Sequence, residues 1–356
     1  TGTLDTGTDS RRAEGRAGEQ ASRKRPMISH PEPLAAGHRP PSGGAGPSSM
    51  VDSMEERIGG KGGEGGLALI LFAGEAREGD LPEQLVRRGF RVLAIDTLRG
   101  GRGHDVSRPE VWAAIWNLVR AGEVSCIFIG TPCASFSIAH SPRLRSRRAP
   151  EGRPDRLATD SPWRAYILKH NYLASLTAQL ATMAHALDIP WAIENPADRG
   201  DRHGIAWWET HADHAPLWMM PCMQRLREHT AAAQFTFAQC AYGAATQKWT
   251  TVWCSLSLQA PLDTLRTHPC PHGFGAHRQV AYGRGAFGRA LAAEAAAYPP
   301  AMCAELAAAF MHAVAQVGIG DGGEGDGLGT WEGEGGRVAE GAGLSQEGAA
   351  AGDAAR

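Results

Sequence analysis

Short apolar runs alternate with stretches of helical periodicity through the middle of the chain. The segments 67–72 (LALILF), 91–95 (RVLAI), 124–130 (VSCIFIG) and 189–195 (IPWAIEN) are continuous apolar runs of strand length. Between them, 81–89 (LPEQLVRRG) predicts a helix closed by Gly89, and 108–122 (RPEVWAAIWNLVRAG) a helix with Val111, Ile115, Leu118 and Val119 on one face. Ser161 and Pro162 predict the cap and first position of a long helix, in which Leu168, Tyr172, Leu176, Leu180, Met183 and Leu187 recur every three or four residues. Beyond 235, FTFAQC and TTVWCSLS predict two more strands, and 299–316 (PPAMCAELAAAFMHAVAQ) a last helix. Alternation of this kind predicts an α/β, doubly wound, mostly parallel sheet. Such sheets bind ligands beyond the carboxyl ends of their strands.

Composition sets the limits of that domain. Of 45 glycines, 28 fall in 1–66 and 318–356, so the expected organisation is one domain at 67–317 between two tails. The first tail carries Pro at 26, 31, 33, 40, 41 and 47 and lacks apolar periodicity; the second holds eight acids and two arginines. Both are expected to be disordered, because neither offers the apolar surface that would offset chain entropy. The run 67–73 is far shorter than the roughly 18 residues that cross a bilayer, and 1–66 has no signal-like apolar core. The expectation is an intracellular protein with no membrane partner, nuclear if the cell is eukaryotic. Seven cysteines at irregular spacing predict reduced thiols rather than a disulfide framework.

The informative residues stand where the strands end. Phe72-Ala73-Gly74 follows the first run, Asp96 the second, and His104-Asp105-Val106 precedes the next helix. Thr131-Pro132-Cys133 and Glu194-Asn195-Pro196 follow the third and fourth runs. In this order the motifs resemble those of the DNA cytosine 5-methyltransferases, over about 67–317, and are most similar to a divergent branch from phages and mobile elements. Cys240-Ala241-Tyr242-Gly243-Ala244 and Tyr298-Pro299-Pro300 are similar to that family's later tyrosine-glycine and closing proline motifs. The resemblance implies a methyltransferase-type, Rossmann-like sheet and S-adenosylmethionine as methyl donor. It also implies a covalent mechanism: carbon 5 of cytosine is a poor nucleophile until a thiolate adds at carbon 6. Cys133 is the implied thiolate and Glu194 the acid beside ring nitrogen 3. Lys248 is the one cation where the family carries Gln-x-Arg-x-Arg. Phe72, Gly74, Asp96, Asp105 and Pro132 are the implied donor-binding residues, with Asp96 suited to the ribose hydroxyls and Asp105 to the adenine amino group. Ala76 stands where the family has a second glycine.

From Ile138 to His170, seven Arg and one Lys face three acids, a loop suited to the phosphates of DNA, or of RNA, whose charge is the same. Ser135, Phe136 and Ser137 are placed to hold or wedge a base drawn from a duplex, with core packing the other reading of Phe136. His268, Cys270, His272 and His277 form H-x-C-x-H-x4-H. With Cys254 sixteen residues ahead of Cys270, the set Cys254, Cys270, His272 and His277 is a candidate structural zinc site, a metal-free loop being the plain alternative. This small Cys/His-rich insertion, about 252–297, would replace a larger recognition region. Trp207-Trp208 and Trp218-Met219-Met220 are expected to pack. Two other functions compete: a catalytically silent fold of the same type that grips nucleic acid, and a cysteine hydrolase pairing Cys133 with His140.

Overall fold

The computed structural model describes residues 65–266, 270, 272, 276, 277 and 295–320. The first expected tail, apart from Gly65 and Gly66, lies outside the described residues, as do 321–356, His268 and most of 267–294. Six strands, β1 (Leu67–Leu71), β2 (Arg91–Ile95), β3 (Val124–Ile129), β4 (Trp191–Pro196), β5 (Ala233–Ala238) and β6 (Trp249–Cys254), form one sheet in the order β2-β1-β3-β4-β6-β5. The first four run parallel, with Leu69 opposite Leu93 on one side and Ile127 on the other. β6 runs antiparallel to both β4 and β5.

Continuous apolar runs appear because helices cover both faces of the sheet. All five residues of β1 are buried. Leu67, Leu69 and Leu71 face α3 (Pro109–Arg120), α5 (Arg164–Ala186) and α6 (Pro221–Thr230). Ala68 and Ile70 face α1 (Leu81–Val86) and α7 (Pro300–Gly320). Two short helices, α2 (Thr97–Gly100) and α4 (Pro154–Leu157), complete the described set. An 18-residue window of α7, Pro300–Val317, is long and apolar enough to cross a membrane. Its Met302, Leu306, Phe310 and Ala313 are instead buried against the sheet, and its last turn extends past the expected tail boundary to Gly320.

Three local expectations are corrected. The long helix begins at Arg164, and Ser161 Oγ accepts only the Trp163 N–H ahead of it. Its predicted face is only partly buried: Leu176 and Leu180 are buried and Met183 packs against the core, with Ile167, Leu173, Ala174, Ala181 and Ala184 beside them, while Leu168, Tyr172 and Leu187 are exposed. The buried side mixes leucines with alanines, and the three exposed large residues lie on its flanks. The third correction is α6, which has a polar surface with only Met223, Leu226 and Thr230 buried, and which the apolar pattern did not predict.

The chain reverses direction across the sheet between β1 and β3, since β2 lies on one side of β1 and β3, then β4, on the other. The crevice beyond the carboxyl ends of β1 and β3 is therefore where a ligand is expected. Phe72-Gly74, Thr131-Cys133 and, one strand over, Glu194-Asn195 all stand at that edge.

Candidate active site

The Thr131-Pro132-Cys133 turn is fixed from two sides. Buried Thr131 Oγ1 lies 3.0 Å from Thr177 Oγ1 on α5, and its carbonyl accepts Asn195 Nδ2–H at 2.7 Å. Asn195, fully buried in β4, thus ties the turn to the strand that carries Glu194. Gly130, just before the turn, has no room for a side chain: a Cβ would lie 2.9 Å from the Tyr298 hydroxyl and 3.2 Å from the Phe72 carbonyl.

Glu194 is 4% exposed and is held by three donors. Lys248 Nζ lies 3.3 Å from Oε1, Thr250 Oγ1 donates to Oε1 at 3.4 Å, and the Tyr298 hydroxyl donates to Oε2 at 2.6 Å. The Lys248 ammonium also sits 5.2 Å from the centre of the Tyr298 ring. Gln239 supports this arrangement twice, its backbone N–H donating to the Lys248 carbonyl and its side chain to Thr250 Oγ1. Burial pushes the Cys133 thiol above its ordinary pKa. Lys248 acts against that shift and Glu194 with it, so both charges lie near the sulfur. Burial and then Glu194 also raise the Tyr298 phenol well above its usual value.

The three residues implied as catalytic, Cys133, Glu194 and Lys248, thus come together at one edge, from the ends of β3 and β4 and the start of β6. Tyr298, noted in the sequence only as part of the closing Tyr-Pro-Pro motif, is an unforeseen fourth member of the group. Its signal was a tyrosine directly ahead of the Pro-Pro that opens α7.

On the β1 side, Phe72 and Gly74 both have positive φ, 58° and 68°. At Gly74 an added Cβ would meet nothing within 4 Å, so glycine is needed for backbone conformation and open space lies in front of it. Asp96 joins this turn to α2: Oδ2 accepts the Gly74 N–H at 2.9 Å and Oδ1 accepts the Leu98 N–H at 2.8 Å as the helix N-cap. Arg99, also unforeseen, fastens the other side, donating from Nε to the Gly74 carbonyl at 2.7 Å and pairing with Asp80 at 2.7 Å. Asp105 Oδ1 accepts both the hydroxyl and the backbone N–H of Ser107, at 2.6 and 3.1 Å. The hydroxyl hydrogen bond is the main cause that holds the Asp105 carboxyl below its ordinary value, against some burial. A depression of about 510 Å3 beside Ala76, Arg77 and Asp80 flanks this turn, but none of the five residues implied for the donor lines it.

The basic loop differs from expectation. Arg145 is buried, stacked 4.0 Å over the centre of the Phe136 ring and donating to Ser135, Pro150 and Asn171. Burial lowers its pKa to about 10. Arg147 pairs with Asp198, while Arg153 and Arg156 pair with Asp155. With Arg143 against His211, five of the loop's eight cations are therefore engaged within the protein. Ser135 and Phe136 are buried as well, so Phe136 is core and not a wedge. His140 Nδ1 lies 2.8 Å from the Pro142 carbonyl, and its ring packs on Trp163 and Tyr166. Among the described residues it is not hydrogen-bonded to Cys133, as a hydrolase pair would require.

Cys270, His272 and His277 do converge, with Cys240 as their fourth partner; these donor atoms lie within 4.8 Å of one another. Cys254 is corrected: it ends β6 inside the sheet core, fully buried, its thiol pushed up to about 12 by burial. Trp218 and Met220 are buried as expected, whereas Trp207 and Trp208 are 40% and 45% exposed. No protein-family model matches the chain, and no curated protein matches it.

Proposed function

We propose that this chain transfers a methyl group from S-adenosylmethionine to carbon 5 of cytosine in DNA, through a covalent adduct on Cys133. The observation that carries the reading is the meeting of Cys133, Glu194 and Lys248 at the carboxyl edge of one sheet, 115 positions apart in sequence at the extremes. S-adenosylmethionine supplies the electrophilic methyl group. The open space before Gly74 supports a fit, as does the Asp96 carboxylate, each of whose oxygens keeps a second lone pair for a ribose hydroxyl.

The roles of the protein's own groups follow from their positions. The Cys133 sulfur forms a bond to ring carbon 6, and the electron pair released moves toward ring nitrogen 3, where Glu194 donates a proton or a short hydrogen bond. Lys248 draws the Cys133 thiol toward thiolate and orients Glu194 Oε1; Tyr298 holds Oε2. Carbon 5 then takes the methyl group, with the donor's sulfur leaving as a neutral thioether. Glu194 recovers its proton from ring nitrogen 3, and loss of the carbon-5 proton to a water base expels the Cys133 sulfur and restores the ring. Incorporation of tritiated methyl groups into DNA cytosine by wild-type protein, and none by Cys133→Ser, is the expected result. A Cys133→Ser protein as active as wild type would reject the reading.

Asp96 gives an independent check on the donor. Asp96→Ala is expected to weaken S-adenosylmethionine binding by about 1.5–3 kcal/mol, the range for losing a charge-assisted hydrogen-bond pair. Unchanged affinity in calorimetry would remove Asp96 from the site.

The Cys/His group suits zinc. A tetrahedral site with metal–sulfur and metal–nitrogen distances of about 2.3 and 2.0–2.1 Å has donor–donor edges of about 3.8 Å for two sulfurs, about 3.5 Å for sulfur and nitrogen, and about 3.3–3.4 Å for two nitrogens. Here Cys240 and Cys270 are 3.5 Å apart, Cys270 is 3.8 Å from His272 Nδ1 and 3.3 Å from His277 Nε2, and the two nitrogens are 3.2 Å apart. Purified protein is expected to hold about one zinc per chain, lost when Cys270 and His272 are replaced together. A fully folded, metal-free preparation by elemental analysis would contradict it.

A further inference from the structure

The segment that leaves β4 after Pro196 returns to the protein at His214. His214 Nε2 donates to the Phe136 carbonyl at 2.7 Å, and its Nδ1 accepts the Arg199 N–H at 3.1 Å. The segment is thereby fastened to the loop that follows Cys133. Its exposed residues include three large apolar side chains, Ile205, Trp207 and Trp208, among polar and charged neighbours such as Arg202, Glu209 and Asp213. Its inner side gathers positive charge. Arg143, from the loop after Cys133, has Nη2 2.9 Å from His211 Nδ1. Arg199 stacks its guanidinium 5.1 Å from the centre of the Trp208 ring. Burial, then Arg143 and Arg199, hold His211 below its ordinary pKa, which places both guanidiniums near that ring.

Two features make this cluster a site rather than a solvated patch. Arg199 is only 9% exposed, and its buried Nε has no hydrogen-bond partner among the described residues. The adjacent acid does not neutralise it: Asp198 is taken by Arg147, at 2.9 and 2.8 Å, and by the Gly200 N–H. Neither Arg143 nor Arg199 forms an ion pair among the described residues. A buried guanidinium without a counter-charge is costly, and an oxyanion held by several N–H donors offsets that cost. An aromatic face beside a cluster of cationic donors is the pattern of single-strand recognition, in which a base stacks while the backbone is gripped.

We propose that Arg143, Arg199 and His211 hold one backbone phosphate of a DNA strand while Trp208 stacks on a neighbouring base, making the 197–214 segment the strand-gripping surface beside Cys133. The inference rests on the reading of DNA as substrate and moves recognition to this segment from the Cys/His insertion. It also explains why Trp207 and Trp208 are left in solvent.

The test uses the full chain without donor and a fluorescein-labelled single-stranded deoxyoligonucleotide, followed by anisotropy over a range of salt. Trp208→Ala is expected to weaken binding about five- to hundredfold, and Trp208→Phe to restore most of it. Arg143→Ala is expected to weaken binding and to flatten the slope of log affinity against log salt by about 0.7, one phosphate contact on a single strand. Arg120→Ala, at the far end of α3, removes an equal charge and should leave the slope unchanged. Both Trp208 and Arg143 lie at least partly in solvent, and circular dichroism reports whether their variants fold. Wild-type affinity and slope in both folded variants would overturn the proposal. If those variants also still form the Cys133 adduct, the surface alone fails. If binding falls as expected while no adduct ever forms, the surface stands and methyl transfer fails.

Discussion

Glu194→Gln is expected to slow methyl transfer about a hundredfold while leaving donor affinity unchanged. The substitution preserves shape, so Tyr298 keeps an oxygen to donate to. It removes the proton that ring nitrogen 3 needs as sulfur adds to carbon 6, and general acids of this kind contribute about 10²–10⁴ in rate. It also turns an amide N–H toward the Lys248 ammonium, 3.3 Å from Oε1, where two donors face each other without an acceptor. Lys248→Met should act in the same direction and more weakly: Glu194 keeps its bonds from Tyr298 and Thr250, but the thiol loses the one charge that draws it toward thiolate. Single-turnover methylation separates these effects from product release. A Glu194→Gln rate within threefold of wild type would exclude Glu194 as the acid.

The second large effect is on stability. His170 and His214 are buried neutral, with Nδ1 of His170 donating to the Tyr166 carbonyl and Nε2 of His214 to that of Phe136. Burial, only partly countered by these bonds, lowers each to about 4 from 6.5. In that window the unfolded chain binds protons that the folded chain does not, so stability is full above about pH 6.5 and is lost as pH falls toward 4. From pH 7.5 to 5.5, above the range of ordinary carboxylates, the two together are expected to cost about 2–3 kcal/mol. That is a large share of the typical margin of 5–15 kcal/mol. His140 and His211 are pushed the same way by burial and add to the loss. Denaturant unfolding at the two pH values measures it, and equal stabilities would mean that these rings are not held neutral.

Much of this site was legible in the sequence because a parallel sheet covered on both faces writes each strand as an unbroken apolar run, and the residue after each run is a ligand position. The Pro132-Cys133 and Glu194-Asn195 pairs were found in that way. What escaped depends on which elements become neighbours. Tyr298 reaches Glu194 across 104 positions. Cys240 displaces Cys254 from the Cys/His group because Cys254 ends the strand that passes through the sheet interior, whereas Cys240 sits on the turn before it. Net charge along the basic loop could not reveal that Arg147 would find Asp198, 51 positions away. The buried face of α5 was legible only in part, at Leu176, Leu180 and Met183, because alanines pack much of the rest and alanine contributes little to an apolar pattern.

The central claim is that Cys133 adds to cytosine, and trapping the adduct tests it most directly. The sulfur is released only after carbon 5 loses its proton, and fluorine at that carbon cannot leave as a cation. Incubated with S-adenosylmethionine and DNA containing 5-fluorocytosine, the wild-type protein is expected to form a complex that survives denaturation, maps to Cys133, is absent in Cys133→Ser and forms about a hundredfold more slowly in Glu194→Gln. Wild-type protein that binds both donor and DNA yet forms no such complex across varied sequences would contradict the account and leave a silent nucleic-acid-binding fold in its place.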